Sequence, residues 1–150
     1  MARSPAFERR ATGYNYPRVS GMTEQDGGPN GISDAEFLVE VDDVSDRVTV
    51  IAVHGQADLH TAPELRSAIG DAIDRGAVSL VVDFSEATFI DSMTLGVLLG
   101  AVKRLRPSGG SLSVVCTDPH IRRIFEITLL DRVFALHADR GSAVDGAGGG

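Results

Sequence analysis

The sequence predicts a small α/β domain in which a mixed β-sheet, made of an N-terminal hairpin and then parallel strands, is packed with helices. Two β-rich runs, residues 36–41 and 47–53, are separated by five turn-forming residues, which is typical of a hairpin. After them, short apolar runs alternate with segments of helical periodicity, as in parallel sheets built by right-handed crossovers. Aromatic residues are only 5% of the chain, so Val, Ile, Leu and Ala must build the core.

The first helix is predicted to follow the hairpin and to begin at Thr61. Thr61 is a common N-cap residue, Pro63 lies in the first turn, and Glu64 stands where a capping box has its carboxylate. Apolar residues then recur at helical spacing until Gly76, which ends the segment. Residues 78–84 are mostly apolar, which predicts an interior strand that is covered on both faces and ends near residue 84.

The second half of the domain repeats this alternation. A second helix is predicted over residues 92–106, where apolar side chains cover a wide face, and Pro-Ser-Gly-Gly at 107–110 stops it. Residues 111–116 predict the next strand, and Asp118 opens a shorter helix. Residues 133–136 are interpreted as a last strand or a packed end.

Both ends of the chain are predicted to lie outside the folded domain. Residues 1–34 are rich in Gly, Pro, Ser, Thr and Arg and have no apolar periodicity, which predicts a disordered tail. Residues 140–150 are rich in Gly and predict a flexible tail. The folded domain is therefore expected over residues 35–139.

Charge and composition exclude several classes of function. The net charge of −7 lies on residues 36–139, which carry 9 basic against 16 acidic residues, and such a body repels nucleic acid. The longest nearly apolar run, residues 93–102, is about half the length that a bilayer requires, and no secretory signal is visible. We expect a cytoplasmic protein with no membrane partner. Cys116 is the single cysteine, so neither a disulfide framework nor a zinc site is expected.

Asp91 and Ser92 stand where the second helix is predicted to begin. The first turn of a helix has unpaired N–H groups and the positive end of the helix dipole, so a phosphate on a serine there is tolerated and adds about −1.5 to −2 charges. Asp58 follows the second strand and is expected near Asp91, which would make an acidic rim around Ser92. From the residues alone an ordinary N-cap is favoured for Asp91-Ser92, whereas a turn or capping role for Asp58 is as well supported as a place in the rim.

Over about residues 36–139 the chain resembles the STAS domain, and more closely the bacterial anti-sigma factor antagonists. The resemblance rests on three stretches that occur in the family's order. They are GQADLHTA at 55–62, VVDFS at 81–85 with FIDS at 89–92, and GGSLSVV at 109–115.

The resemblance implies that Ser92 is phosphorylated by a partner that is both a serine kinase and an anti-sigma factor. Before phosphorylation the protein would bind this partner and release a sigma factor, through a surface formed by Asp58, Asp91, Met93 and Thr94. A PP2C-type phosphatase would reset Ser92, and the protein would be neither an enzyme nor dependent on a cofactor or metal. The family loop has a second Ser or Thr and then Gly where this chain has Met93 and Thr94. Losing that Gly should stiffen the helix entry, and Thr94 is a second, less favoured acceptor hydroxyl.

Two other functions compete with this one. In the first, His54 and His60, which flank Asp58, form a catalytic triad with Asp58 and Ser92, although Ser92 lacks the Gly-x-Ser-x-Gly context of a hydrolase. In the second, the domain is a STAS scaffold that is never phosphorylated and assembles into a larger signalling complex. Met93 would then make an adaptable apolar contact, but a place in the core is favoured for this side chain.

Overall fold

Five strands form one mixed sheet in the computed structural model, which describes residues 37–149. In chain order these strands are β1 (Leu38–Asp43), β2 (Val48–Ala57), β3 (Ser79–Ile90), β4 (Ser111–Val115) and β5 (Ala135–His137). They lie side by side in the same order, with β1 antiparallel to β2 and every later pair parallel. The predicted hairpin and parallel strands are confirmed. The tail predicted over residues 1–34 lies outside the described residues.

A serine closes the hairpin turn between β1 and β2. Ser45 Oγ accepts hydrogen bonds from the main-chain nitrogens of Arg47 and Val48, at 3.2 and 3.1 Å. Such a side-chain bond replaces a missing partner of the turn backbone. The pairing that follows sets Asp43 opposite Thr49 and Leu38 opposite His54.

Helices cover both faces of the sheet. They are α1 (Ala62–Asp74), α2 (Ser92–Leu105), α3 (Pro119–Ile127) and α4 (Arg140–Gly149). Successive strand residues point to opposite faces, so Leu80 and Val82 of β3 join the main core beneath α1, α2 and α3, whereas Val81 faces α4. The two helices predicted in the second half of the sequence, α2 and α3, are therefore present. They pack with α1 on one face of the sheet.

An aromatic cluster attaches α3 to the sheet. The ring of Phe125 on α3 lies 6.4 Å from that of Phe84 on β3 and 5.9 Å from that of Phe134, with the second pair edge to face. All three side chains are buried. Edge-to-face packing of this kind adds to the stability gained from burial alone.

β2 and β3 extend further than their apolar patterns predict. β2 was expected over 47–53 and reaches Ala57, while β3 was expected over 78–84 and reaches Ile90. Ala57 pairs with Ile90 after two register shifts, so β3 continues through residues 85–90, where a connection to the second helix was expected, and ends next to Asp91. The prediction was wrong because hydrogen bonding between the two backbones continues where the side chains are no longer uniformly apolar.

The flexible tail predicted from residue 140 is a helix in the structure. Ala143 of α4 is buried, and its neighbours Val144 and Ala147 pack with it on a patch of the sheet formed by Val50, Val81 and Val115. Glycine lowers intrinsic helix propensity, and this misled the prediction. Burial of the apolar side of α4 outweighs the unfavourable composition, and the folded unit extends beyond residue 139.

Two glycines stand at the sharp entry into β4. Gly109 has a φ of 74°, in the left-handed region that glycine adopts most readily. At Gly110 the main chain approaches Val78 O so closely that any Cβ atom would overlap with it. The Gly-Gly pair of the sequence is therefore required by backbone shape at one position and by packing at the next.

Candidate functional site

Ser92 is the first residue of α2 and its side chain is exposed. Asp91 is the N-cap: its Oδ1 accepts hydrogen bonds from the main-chain nitrogens of Met93 and Thr94, at 3.0 and 3.2 Å. The Ser92 hydroxyl makes no hydrogen bond to any residue between 37 and 149. An enzyme can therefore reach this hydroxyl from solvent without first breaking a contact of the fold.

Asp58 lies at the same edge of the sheet as Asp91. Asp58 directly follows Ala57 and Asp91 directly follows Ile90, and these two strand residues are paired between β2 and β3. Asp58 Oδ1 accepts hydrogen bonds from the main-chain nitrogens of His60 and Thr61, at 2.9 and 3.2 Å. Both carboxylates are half-buried, so water screens them less than it screens fully exposed groups, and a further negative charge brought here is repelled.

Thr61 has a different role from the one that its position predicts. It is the N-cap residue of α1, but its side chain makes no capping hydrogen bond. Instead, Thr61 Oγ1 accepts from the main-chain nitrogen of Asp58 at 2.8 Å and donates to Gln56 O at 3.0 Å. The threonine half of the predicted capping box is therefore not formed, and the threonine side chain instead closes the loop that carries Asp58.

Thr94 is fully buried, with 0% of its surface exposed. Its hydroxyl donates a hydrogen bond to Ala57 O at 2.7 Å, which joins the first turn of α2 to the end of β2. The prediction that Thr94 contacts a partner, or serves as a second acceptor of phosphate, is therefore wrong. A single sequence carried no signal for this contact, because Ala57 and Thr94 are far apart along the chain and meet through the sheet.

Three large apolar side chains are exposed at the end of the sheet where α2 begins. Met93 is 45% exposed, which contradicts the expectation that it fills the core, and Phe89 and Leu59 are 47% and 56% exposed. Sequence reasoning missed Phe89 and Leu59, since neither strand periodicity nor turn composition told which side chains point outward. We call this surface the Ser92 face, and it comprises Asp58, Leu59, Phe89, Asp91, Ser92 and Met93.

The parts of a catalytic triad are not joined. His54 Nε2 lies 3.1 Å from Glu40 Oε1, across the β1–β2 pair, while Asp58 Oδ1 is bonded by the backbone of its own loop. His60 is exposed on that loop. Among residues 37–149, no histidine side chain makes the hydrogen bond to Asp58 that a triad requires.

The remaining candidates for a reactive or metal-binding site, in the part of the chain that the structure describes, are the Cys116 thiol and groups of His, Cys, Asp and Glu side chains. Burial raises the pKa of the Cys116 thiol, and the nearby Arg122 offsets this only in part. Among residues 37–149, no three His, Cys, Asp or Glu side chains are grouped to hold a metal ion. Every helix in this range is too short or too polar to span a lipid bilayer.

The fold is a small α/β domain with an accessible serine at the start of α2. The family model described as the STAS domain matches residues 41–143. The chain belongs to the STAS domain family.

Three relatives of the chain are named as anti-sigma factor antagonists. An anti-sigma-B factor antagonist of Staphylococcus aureus is 28% identical over 100 residues, which cover 67% of this chain and 91% of the relative. A crystal structure of an anti-sigma factor antagonist from Mycobacterium paratuberculosis has a TM-score of 0.68 and 32% identity, covering 74% of this chain and 93% of that one. A structure of the anti-sigma factor antagonist SpoIIAA in its unphosphorylated form has a TM-score of 0.66 and 25% identity, covering 74% and 96%.

Proposed function

We propose that this protein is a cytoplasmic anti-sigma factor antagonist, which binds an anti-sigma factor through the Ser92 face and releases a sigma factor. The observation that carries the proposal is the exposed, unbonded hydroxyl of Ser92 at the start of α2, next to Asp91 and at the same end of the sheet as Asp58. The function of these relatives as anti-sigma factor antagonists supports the class of partner. One solved relative is a structure of the unphosphorylated form of its protein. This supports a phosphate switch.

The apolar part of the Ser92 face supplies the binding energy in this proposal. Leu59, Phe89 and Met93 are all large and about half exposed. Aromatic residues and methionine are enriched at the centres of protein interfaces, so Phe89 and Met93 are the main contributors. The flanking carboxylates of Asp58 and Asp91 favour a partner with basic groups around an apolar centre. The anti-sigma factor is also the serine kinase that modifies Ser92.

Phosphorylation would end the binding by charge. A phosphate adds about −1.5 to −2 charges to Ser92, beside two carboxylates and inside the proposed interface. A like-charge penalty of about 3 kcal/mol weakens binding roughly a hundredfold. A PP2C-type phosphatase would restore the binding form. In this mechanism the ATP-using partner is the catalyst and this protein is its substrate.

The test is a titration of the protein with each anti-sigma factor kinase of the same organism. We expect Ser92→Ala to bind like the wild type and Ser92→Glu to bind roughly a hundredfold more weakly. Ser108→Glu is the matched control, because it places the same charge on an exposed serine beyond the other end of α2. With ATP and kinase, mass spectrometry should find one added phosphoryl group, lost in Ser92→Ala. Equal binding of Ser92→Ala and Ser92→Glu would instead favour the unphosphorylated scaffold.

A further inference from the structure

The main-chain oxygen of Ala57 is held by two groups from the start of α2. Asp91 N donates to it at 3.2 Å and Thr94 Oγ1 donates to it at 2.7 Å. The Thr94 hydroxyl is fully buried, so water does not compete for this bond. The first turn of the helix that carries Ser92 is thereby tied to the last residue of β2.

The residues on either side of Ala57 are held by a second threonine. Thr61 Oγ1 accepts from Asp58 N at 2.8 Å and donates to Gln56 O at 3.0 Å. The end of β2 is thus bonded by Thr61 from within its own loop and by Thr94 from α2. A displacement of the first turn of α2 therefore pulls on Ala57 and, through it, on the Asp58 loop.

A phosphate on Ser92 would disturb this turn. Asp91 Oδ1 occupies the N–H groups of Met93 and Thr94, which are the groups that an anion on the first helical residue seeks. The phosphate both competes for these donors and repels the Asp91 carboxylate. Thr94 donates to Asp91 Oδ1 through its nitrogen and to Ala57 O through its hydroxyl. It therefore connects the carboxylate that the phosphate repels to the end of β2.

We propose that Thr94 is the positioning residue of the Ser92 face, and that its hydroxyl transmits a negative charge on Ser92 to the Asp58 loop. Phosphorylation then alters both halves of the binding surface rather than the serine alone. The inference rests on the proposed function in taking Ser92 as the modified residue. It adds that Thr94, whose side chain is excluded from the interface, couples the start of α2 to the Asp58 loop.

The experiment measures this coupling in the isolated full-length protein by amide NMR. Ser92→Glu should shift the amide signals of Asp58, His60 and Thr61 in the wild-type background. In Thr94→Val, which keeps the shape but removes the donor, these shifts should disappear, and the loop amides should exchange about fivefold faster. Thr94→Ser keeps the hydroxyl and should restore the shifts. Ala57 O keeps its bond from Asp91 N in every variant, so the junction retains one contact.

Thr49→Val is the matched control for the loss of a buried hydroxyl. Thr49 lies near the other end of β2 and its Oγ1 donates to Asp43 Oδ1 at 2.8 Å. This variant should lower the melting temperature but leave the Ser92-dependent shifts unchanged.

Three results would overturn the coupling: no shift in the wild-type background, shifts that persist in Thr94→Val, or loss of the shifts in Thr94→Ser. Equal loss in Thr49→Val would reduce Thr94 to a general contribution to stability. None of these measurements uses the partner. A failure of the proposed function, seen as equal partner binding by Ser92→Ala and Ser92→Glu, is thus distinguishable from a failure of the coupling.

Discussion

Arg140 of α4 reaches the nearly buried carboxylate of Asp83 on β3. Its Nη2 and Nε atoms lie 2.9 and 3.0 Å from Asp83 Oδ2, and only 8% of the Asp83 side chain is exposed. The other carboxylate oxygen, Oδ1, accepts from the nitrogen and hydroxyl of Ser85, at 2.9 and 2.6 Å. Both carboxylate oxygens of Asp83 therefore have partners. The pair with Arg140 attaches α4 to the face of the sheet opposite α1–α3.

Arg140→Ala should loosen α4. The substitution leaves Asp83 Oδ2 without its cation, and we expect a loss of about 1–2 kcal/mol in the free energy of unfolding, since Arg140 is partly exposed. Hydrogen exchange at residues 142–147 should accelerate more than exchange in β3. Arg104→Ala is the control, because its 3.2 Å pair with Asp74 is exposed and contributes less than about 0.5 kcal/mol. Unchanged exchange in α4 would show that apolar burial alone holds the helix.

The attachment of α4 should also weaken in acid. Asp139 Oδ1 accepts a hydrogen bond from Ser142 N at 2.7 Å, and this bond lowers the pKa of the carboxyl below its usual 3.8. Because the folded-state pKa is the lower one, the contribution to stability is present above the usual value and is lost as the pH falls through the folded-state value. Exchange of the α4 amides should therefore rise as the pH falls below about 4.

Asp139→Asn is the control for this titration, since asparagine caps a helix but does not ionise in this range. Its α4 amides should lack the acid-dependent change after correction for intrinsic exchange. The same pH profile in the wild type and in Asp139→Asn would assign the change to another group.

Leu129→Gly should stabilise the protein. Leu129 is exposed and has a φ of 65°, and it is the one non-glycine residue with positive φ among those described. A left-handed backbone at leucine costs about 1–2 kcal/mol, so glycine should raise the free energy of unfolding by about 0.5–1 kcal/mol after its own entropic cost. Chemical denaturation measures the difference. Ile127→Gly, at an exposed position at the end of α3, should lower the stability instead.

Phe89→Thr should weaken partner binding without unfolding the domain. The exposed ring lies on the Ser92 face, and truncation of an aromatic residue at the centre of an interface costs roughly tenfold or more in Kd. Threonine is chosen because it suits a strand. Ile127→Thr removes a more exposed apolar side chain from α3, outside the Ser92 face, and should leave the Kd unchanged. Equal effects of the two substitutions would place the interface elsewhere.

Local sequence chemistry predicted much of the fold and the centre of the site. Asp91 before an apolar helical run predicted the start of α2, and the structure begins that helix at Ser92 with Asp91 as its cap. Asp118 predicted the start of α3 in the same way, and its Oδ1 accepts from His120 N at 2.8 Å. These features depend on residues a few positions apart, so they are legible along the chain.

The strand–helix alternation, the hairpin, and a serine at a helix start next to a carboxylate can all be read from the amino-acid sequence. The tertiary structure alone decided that Thr94 is buried, that Met93 and Phe89 are exposed, and that residues 140–149 form a helix against the sheet. The physical reason is distance along the chain. Caps and periodicities arise between near neighbours, whereas the bonds of Thr94 to Ala57 and of Arg140 to Asp83 exist only after the sheet has brought remote segments together.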